Sequence, residues 1–286
     1  MSQTFGASRF DAIVDRSITE IRSNVKTIGQ FAFANCTQLT SAEFPNVTSI
    51  GQYAFSGCSK LESTEFPNLL TINSYGFYNC TSLETIDLPN VTKGYDRAFK
   101  GCTKLVNINA PKMNPEDNIF EGCTALKRLY LPSTTFADQG MCTGCTGLEY
   151  FIGPKVNIIY TSAFNNCSSL IGIDLGTTSS SPSGFARQTA FNACTSLSVI
   201  ILRCSSIYQC SEIKAFNNSS LASGGAGCII YIPKVLYDHL GDGTSLDYKA
   251  ASNWSTINGY GTITWAQIEG SQYENSYVDG TPIPTS

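Results

Sequence analysis

One cysteine recurs through most of this chain at a nearly fixed interval, and that period constrains the fold more than any other feature. The column runs Cys36, Cys58, Cys80, Cys102, Cys123, Cys145, Cys167 and Cys194, in steps of 22 residues with one of 21 and one of 27. Clean copies read AFANCTQLTSAEFPNVTSIG at residues 32–51, AFSGCSKLESTEFPNLLTIN at 54–73 and GFYNCTSLETIDLPNVTKGY at 76–95. A period in the range of about 20–50 residues marks a solenoid, whose units bury their apolar faces only by stacking on their neighbours. The core of such a stack grows along an axis, so 286 residues can form one array of nine or ten coils spaced by about 4.8 Å.

Each copy supplies the parts of one coil. Leu39, Ala42 and Phe44 repeat as Leu61, Thr64, Phe66, then as Leu83, Ile86, Leu88, and later as Leu197, Ile200, Leu202. The last positions alternate in-out-in, the period of a half-buried strand. Pro45, Pro67, Pro89, Pro111, Pro132 and Pro154 close that strand, because proline cannot donate to a continuing ladder. Val47 and Ile50, repeated as Leu69 and Ile72, predict a second short strand. The A-F-x-x-C segment between coils predicts one helical turn, with its Phe plugging the gap between layers.

The pattern A-F-x-x-C-x-x-L-x-x-I-x-L-P-x-V-x-x-I-G resembles the BspA-type (Treponema pallidum-type) leucine-rich repeats of bacterial surface proteins. The resemblance covers residues 17–233; the leader at 10–21 and the closing segments at 215–233 and 248–255 are similar to arrays from gut bacteria or their prophages. It implies a leucine-rich repeat solenoid, right-handed and curved, with the Leu-Ile-Leu strands on the concave side. It also implies three parts: an N-terminal leader or cap at 1–21, the array at 17–233, and a C-terminal cap at 234–286 with a short helix and an extended tail. Asp11 to Ile21 are expected to cover one end and Trp254 to pack on the other. Departures from the pattern fall at Lys93-Gly94, at 112–118 with Pro115, at the Ser-rich insertion 177–184, at 217–221 where the column cysteine is missing, and at the insertion 237–246.

Composition excludes several classes of function. Net charge is −4 and only 14% of residues are charged, which argues against nucleic acid, whose affinity comes mainly from Lys and Arg on phosphate. No apolar run near 20 residues offers a membrane span. Residues 1–10 lack the positive start and apolar middle of a signal peptide. The eight column cysteines point the same way in register, which predicts buried free thiols acting as small apolar side chains. Cys142 of C-T-G-C aligns with the Phe column, so the motif is not read as redox or zinc chemistry. Pairing of Cys204, Cys210 and Cys228 is left open.

No G-x-S-x-G, phosphate loop, H-E-x-x-H or dinucleotide fingerprint occurs, so no enzyme activity, cofactor or metal site is assigned. His239, the single histidine, lies beside Asp238 and Asp242, a spacing common by chance. The expected functional surface is the outward row of the strands: Glu43, Glu65 and Asp87, then Asn107 and Asn109, then Arg128, Tyr130, Tyr150 and Ile152, followed by Gly172/Asp174, Val199/Ile201 and Ile229/Tyr231. The turn from polar to aromatic places a ligand site on Arg128, Tyr130, Tyr150 and Ile152, since Arg and aromatic residues dominate binding hot spots. The partner expected is an extracellular protein, mucin or glycan, bound at the cell surface. The alternative is a structural or receptor-binding part of a (pro)phage tail, associated with the virion. The sequence assigns no oligomeric state.

Overall fold

A computed structural model describes residues 16–176, 186–208, 210, 212–251 and 253–278. The Ser-rich insertion and most of the leader therefore lie outside the described residues. The chain divides into two compact units, Met1–Leu131 with Met141–Thr146, and Pro132–Gly140 with Gly147–Ser286.

The first unit is a stack of short parallel strands. Glu20–Arg22, Ser41–Glu43 and Ser63–Glu65 pair in register, Ile21 beside Ala42 and Ala42 beside Thr64. Thr85–Asp87 pairs in the same way with Asn107–Asn109. The second row expected from Val47 and Ile50 is also present, running through Thr27–Ile28, Ser49–Ile50, Thr71–Ile72, Lys93–Gly94 and Asn114–Pro115. Lys93-Gly94 and Pro115, which break the sequence pattern, are thus kept inside the ladder, with Pro115 beside Gly94. Gly94 leaves room there for the end of the Ile119 side chain, which a Cβ would push aside.

The second unit carries the same architecture with longer strands. Tyr150–Gly153, Gly172–Leu175, Val199–Leu202, Cys228–Ile232 and Ile263–Gln267 are parallel and consecutive, with Phe151, Ile173, Ile200, Ile230 and Trp265 in one row. The final strand was not expected from the sequence, where this stretch reads as extended tail. Two short helices precede it, Lys234–Tyr237 and Trp254–Gly259. Trp254 is fully buried, its ring 6.3 Å from Phe216 and its indole N–H donating to the Tyr208 carbonyl at 2.7 Å. It closes the Phe stack as the sequence predicts.

The segment before each cysteine is not a helical turn. It is a pair of tight turns, because every fourth residue takes a left-handed backbone. Phe31 and Asn35 sit at φ 57° and 59°, and the same two positions recur at Tyr53 and Gly57, Tyr75 and Asn79, Arg97 and Gly101, and Thr189 and Ala193. Helical hydrogen bonding cannot pass such residues, so the backbone groups divide their partners. In the first coil the Ala34 and Cys36 N–H groups bond within the turn, while Phe31, Phe33 and Asn35 donate to Gln52, Ala54 and Ser56 of the next coil. Alternate amides thus build a third ladder between coils, and no backbone donor in this segment is left orphaned.

Side chains complete the stack. Phe33, Phe55, Phe77, Phe99 and Phe120 lie at centroid spacings of 5.1, 5.2, 5.4 and 5.8 Å, and Phe164, Phe191 and Phe216 at 5.4 Å each. Asn68 and Asn90, which follow the closing prolines, donate to the carbonyls of Pro45 and Pro67 one coil back. All twelve cysteines are buried and none is in a disulfide, Cys204, Cys210 and Cys228 included. Ser219 takes the column position where the cysteine is missing, and its hydroxyl donates to Phe216 of its own coil at 2.6 Å.

Candidate functional site

In the first unit the outward row of the strands is open. Ser63, Glu65, Thr85, Asp87, Asn107 and Asn109 are exposed, while the residues between them point into the stack. The acidic residues do not converge on one point. Glu43 lies 3.5 Å from Arg22, and Asp87 accepts from the Asn109 amide at 2.7 Å. Among the described residues no group of three His, Cys, Asp or Glu side chains could hold a metal ion. Arg128 and Tyr130 occupy the same row on strand Arg128–Tyr130, with Leu129 buried between them and both outward side chains half-buried.

In the second unit the expected row is only partly open: Ile229 is exposed and Val199 and Tyr231 are half-buried, but the row is closed at its centre. Tyr150 is half-buried and packs beside Gly172. Ile152, expected at the surface with it, is fully buried, and so are Asp174 and Ile201 beside it in register. The cause is the chain's own tail. After strand Ile263–Gln267 the Ile268 N–H bonds to the Ile232 carbonyl, the chain turns through residues 268–271, and residues 273–278 come back over the strands. Tyr273 packs edge-on against Tyr231 at 4.8 Å, and a Cβ on Gly172 would collide with Val278.

A buried ion pair anchors that tail. Arg203 Nε and Nη2 donate to the two Asp174 carboxylate oxygens at 2.7 Å each, with the side chains only 7% and 2% exposed. The remaining face of the guanidinium donates to the Tyr273 carbonyl at 3.0 Å and the Ser276 carbonyl at 2.6 Å. Arginine suits this role because its planar fork satisfies a carboxylate bidentately and still has donors to spare. Sequence reasoning missed this cluster, although a signal exists. Arg203 stands where most coils carry the closing proline, and Asp174 is a charge in a strand otherwise apolar.

A second missed feature lies on the turn side of the first unit. Phe31, Tyr53 and Tyr75 stack at 5.2 and 4.5 Å, and the Arg97 guanidinium sits 5.7 Å from the Tyr75 ring. All four occupy the left-handed position at the start of the turns. Partial burial, together with the Tyr75 hydroxyl, raises the Tyr53 phenol above its ordinary range. His239 pairs with Asp242 at 2.6 Å while Asp238 is held by Lys234, so the three residues grouped in sequence do not converge on one point.

The repeats decide what the chain is related to. The sequence matches the family described as BspA type leucine rich repeat region in six copies, over residues 3–127, 48–171 and 114–224. The chain belongs to this family. It is a family of repeat scaffolds, and no enzymatic family is indicated. Among solved structures, the chain is similar to a leucine rich repeat protein of T. pallidum, at 23% identity over 61% of this chain and 72% of that one, TM-score 0.39. A leucine rich cell surface protein of Faecalibacterium prausnitzii matches at 21% identity over 68% of each chain, TM-score 0.39. A leucine-rich repeat protein of Bacteroides ovatus matches at 20% identity over 86% and 83%, TM-score 0.34. No curated protein matches the chain. No helix among the described residues is long and apolar enough to cross a membrane.

Proposed function

We propose that this chain is a non-enzymatic recognition module that binds an extracellular protein, mucin or glycan at a cell surface, with residues 17–233 as the repeat array and 234–286 as its cap. The observation that carries this reading is the side-by-side presentation of Arg128 and Tyr130 on one strand of the first unit, beside a row of exposed asparagine and acidic residues. In the first unit each repeat spends its interior residues on the stack and leaves its outward strand positions for display. Those positions can change from coil to coil without altering the core. Tyr and Arg are the residue types that carry most binding energy at interfaces, because a ring and a planar cation give large contact area with directional donors. Ile152 is not part of the proposed surface, because it is buried.

The test is a binding screen of the purified chain against an array of glycans, mucins and matrix proteins, repeated with Arg128→Ala/Tyr130→Ala. The reading expects a ligand whose affinity falls by about tenfold or more in the double variant, with the melting temperature little changed. A ligand bound equally by both proteins would move the site elsewhere.

A further inference from the structure

We infer that the C-terminal cap holds a separate site for an acidic sugar, a pyranose ring bearing a carboxylate, in the cleft beside strand Ile263–Gln267. The site lies wholly in the second unit and shares no residue with the surface around Arg128 and Tyr130.

The cleft follows from how the stack ends. Strand Ile263–Gln267 is the last of its sheet and pairs on one side only, with Cys228–Ile232. The Thr262 carbonyl accepts from the Cys228 N–H, and the Ile268 N–H donates to the Ile232 carbonyl. Main-chain groups alternate in direction along a strand, so those of Ile263 and Trp265 turn outward, without a strand partner among the described residues. Both residues line an open cleft of about 480 Å³. That volume falls in the range of about 300–1,000 Å³ usual for small-molecule sites.

The lining combines rings with hydrogen-bonding groups. Trp265 is half-buried, its ring lying 5.2 Å from Tyr248 and 5.9 Å from Trp254, and it also lines the cleft. Its indole N–H donates to the Asn258 side-chain oxygen at 3.0 Å, which fixes the ring and leaves the amide donors of Asn258 for a ligand. Tyr237, an exposed residue, adds a second ring. The negative face of an aromatic ring attracts the weakly positive C–H face of a sugar. Sugar hydroxyls need both donors and acceptors. The Thr264 hydroxyl, the Asn258 amide and the open strand edge supply both.

Lys249 gives the site its sign. It lines the cleft, and no carboxylate does. The acids near it in sequence are engaged elsewhere. Asp247 is buried and accepts the main-chain N–H groups of Gly243 and Lys249. Asp238 pairs with Lys234, and Asp242 with His239. The Lys249 ammonium therefore has no carboxylate partner among the described residues, and one ammonium matches one carboxylate on the ligand. Uronic and sialic acids share this chemistry, a ring with an apolar face, a rim of hydroxyls and a single negative charge.

The experiment titrates glucuronate, N-acetylneuraminate and glucose into the full chain. The chain has two tryptophans, so its NMR spectrum carries two indole N–H signals, and fully buried Trp254 is the internal control. At least one of the two acids should shift the Trp265 signal saturably and leave that of Trp254 in place. It should bind about fivefold or more tighter than glucose, the effect of one exposed ion pair. The acid that binds more tightly tells a uronate-bearing ligand from a sialylated one. Lys249→Gln should bring the acid down to the level of glucose, and Tyr237→Ala should weaken it as well. Both substitutions fall on exposed side chains, so the fold is retained. No saturable shift with either acid, equal affinity for glucose, or unchanged affinity in Lys249→Gln overturns the inference. Failure here leaves the Arg128 and Tyr130 reading standing, because neither substitution touches those residues.

Discussion

The thiol of Cys58 donates to the carbonyl oxygen of Phe33, one coil earlier, at 3.1 Å. The same bond recurs from Cys80 to Phe55, Cys102 to Phe77, Cys123 to Phe99, Cys145 to Phe120 and Cys194 to Phe164, at 3.0 to 3.2 Å. Each of these carbonyls already accepts the N–H of its own coil's cysteine, so the thiol uses its second lone pair. Cysteine fits because it is small and apolar enough for a dry column yet carries a weak donor. Alanine would fill part of the space and satisfy nothing.

Replacing Cys80 by Ala is therefore expected to cost about 1–3 kcal/mol, from lost packing plus one hydrogen bond. Chemical denaturation of the variant checks it. A cost below the error of the measurement would mean that the column thiols are only spacers.

Burial pushes Cys194 up to about 12, and Cys58, Cys80 and Cys123 well above the usual thiol range. An unfolded thiol ionises near pH 8.5. Below that pH both states bind the proton and stability is unaffected. Above it the unfolded chain loses protons first, so stability falls as pH rises, until the folded thiols titrate in turn, Cys194 near pH 12. The slope approaches about 1.4 kcal/mol per pH unit for each such thiol. Denaturation midpoints between pH 7 and 10 should show this loss, and native labelling with a thiol reagent at pH 8 should be slow for most of the twelve cysteines.

The left-handed turn position gives an opposed pair of substitutions. Ala193 holds φ 59° where other coils place Asn or Gly, and Gly101 holds φ 76°. Ala193→Gly should stabilise by about 0.5–1 kcal/mol by relieving the Cβ clash. Gly101→Ala should destabilise by more than that, since its Cβ would also collide with the Asn79 side chain. Melting temperatures that move in the same direction for both would contradict the turn assignment.

Trp254 joins the Phe stack to the cap, and Trp254→Ala should cost about 3–5 kcal/mol. Ending the chain at Pro233 removes both that ring and strand Ile263–Gln267, baring the edge of Cys228–Ile232. Light scattering should show the shortened chain aggregating, because an uncovered strand edge recruits other chains.

Much of this fold was legible because its repeats write the same physical demand many times. The Cys, Phe and Leu columns gave the stack, and Trp254 gave its terminal plug. The turns were misread as helical because A-F-x-x-C has helical spacing. The signal against a helix is the Asn or Gly before most column cysteines, as at Asn35, Gly57, Asn79 and Gly101, residue types that tolerate the left-handed backbone. Ile152 was placed at the surface by strand alternation, which holds. Alternation says only which side of the strand a residue takes, and a segment more than a hundred residues later covers that side. Contacts such as Arg203 with Ser276 have no local signature beyond an arginine standing where proline is usual.

The central claim is that outward strand positions of the first unit bind a ligand, and titration calorimetry on the first ligand found in the array screen tests it most directly. The account predicts that Arg128→Ala/Tyr130→Ala weakens binding by about tenfold or more while circular dichroism and melting temperature stay close to those of the unaltered chain. Unchanged affinity in a folded double variant would contradict it.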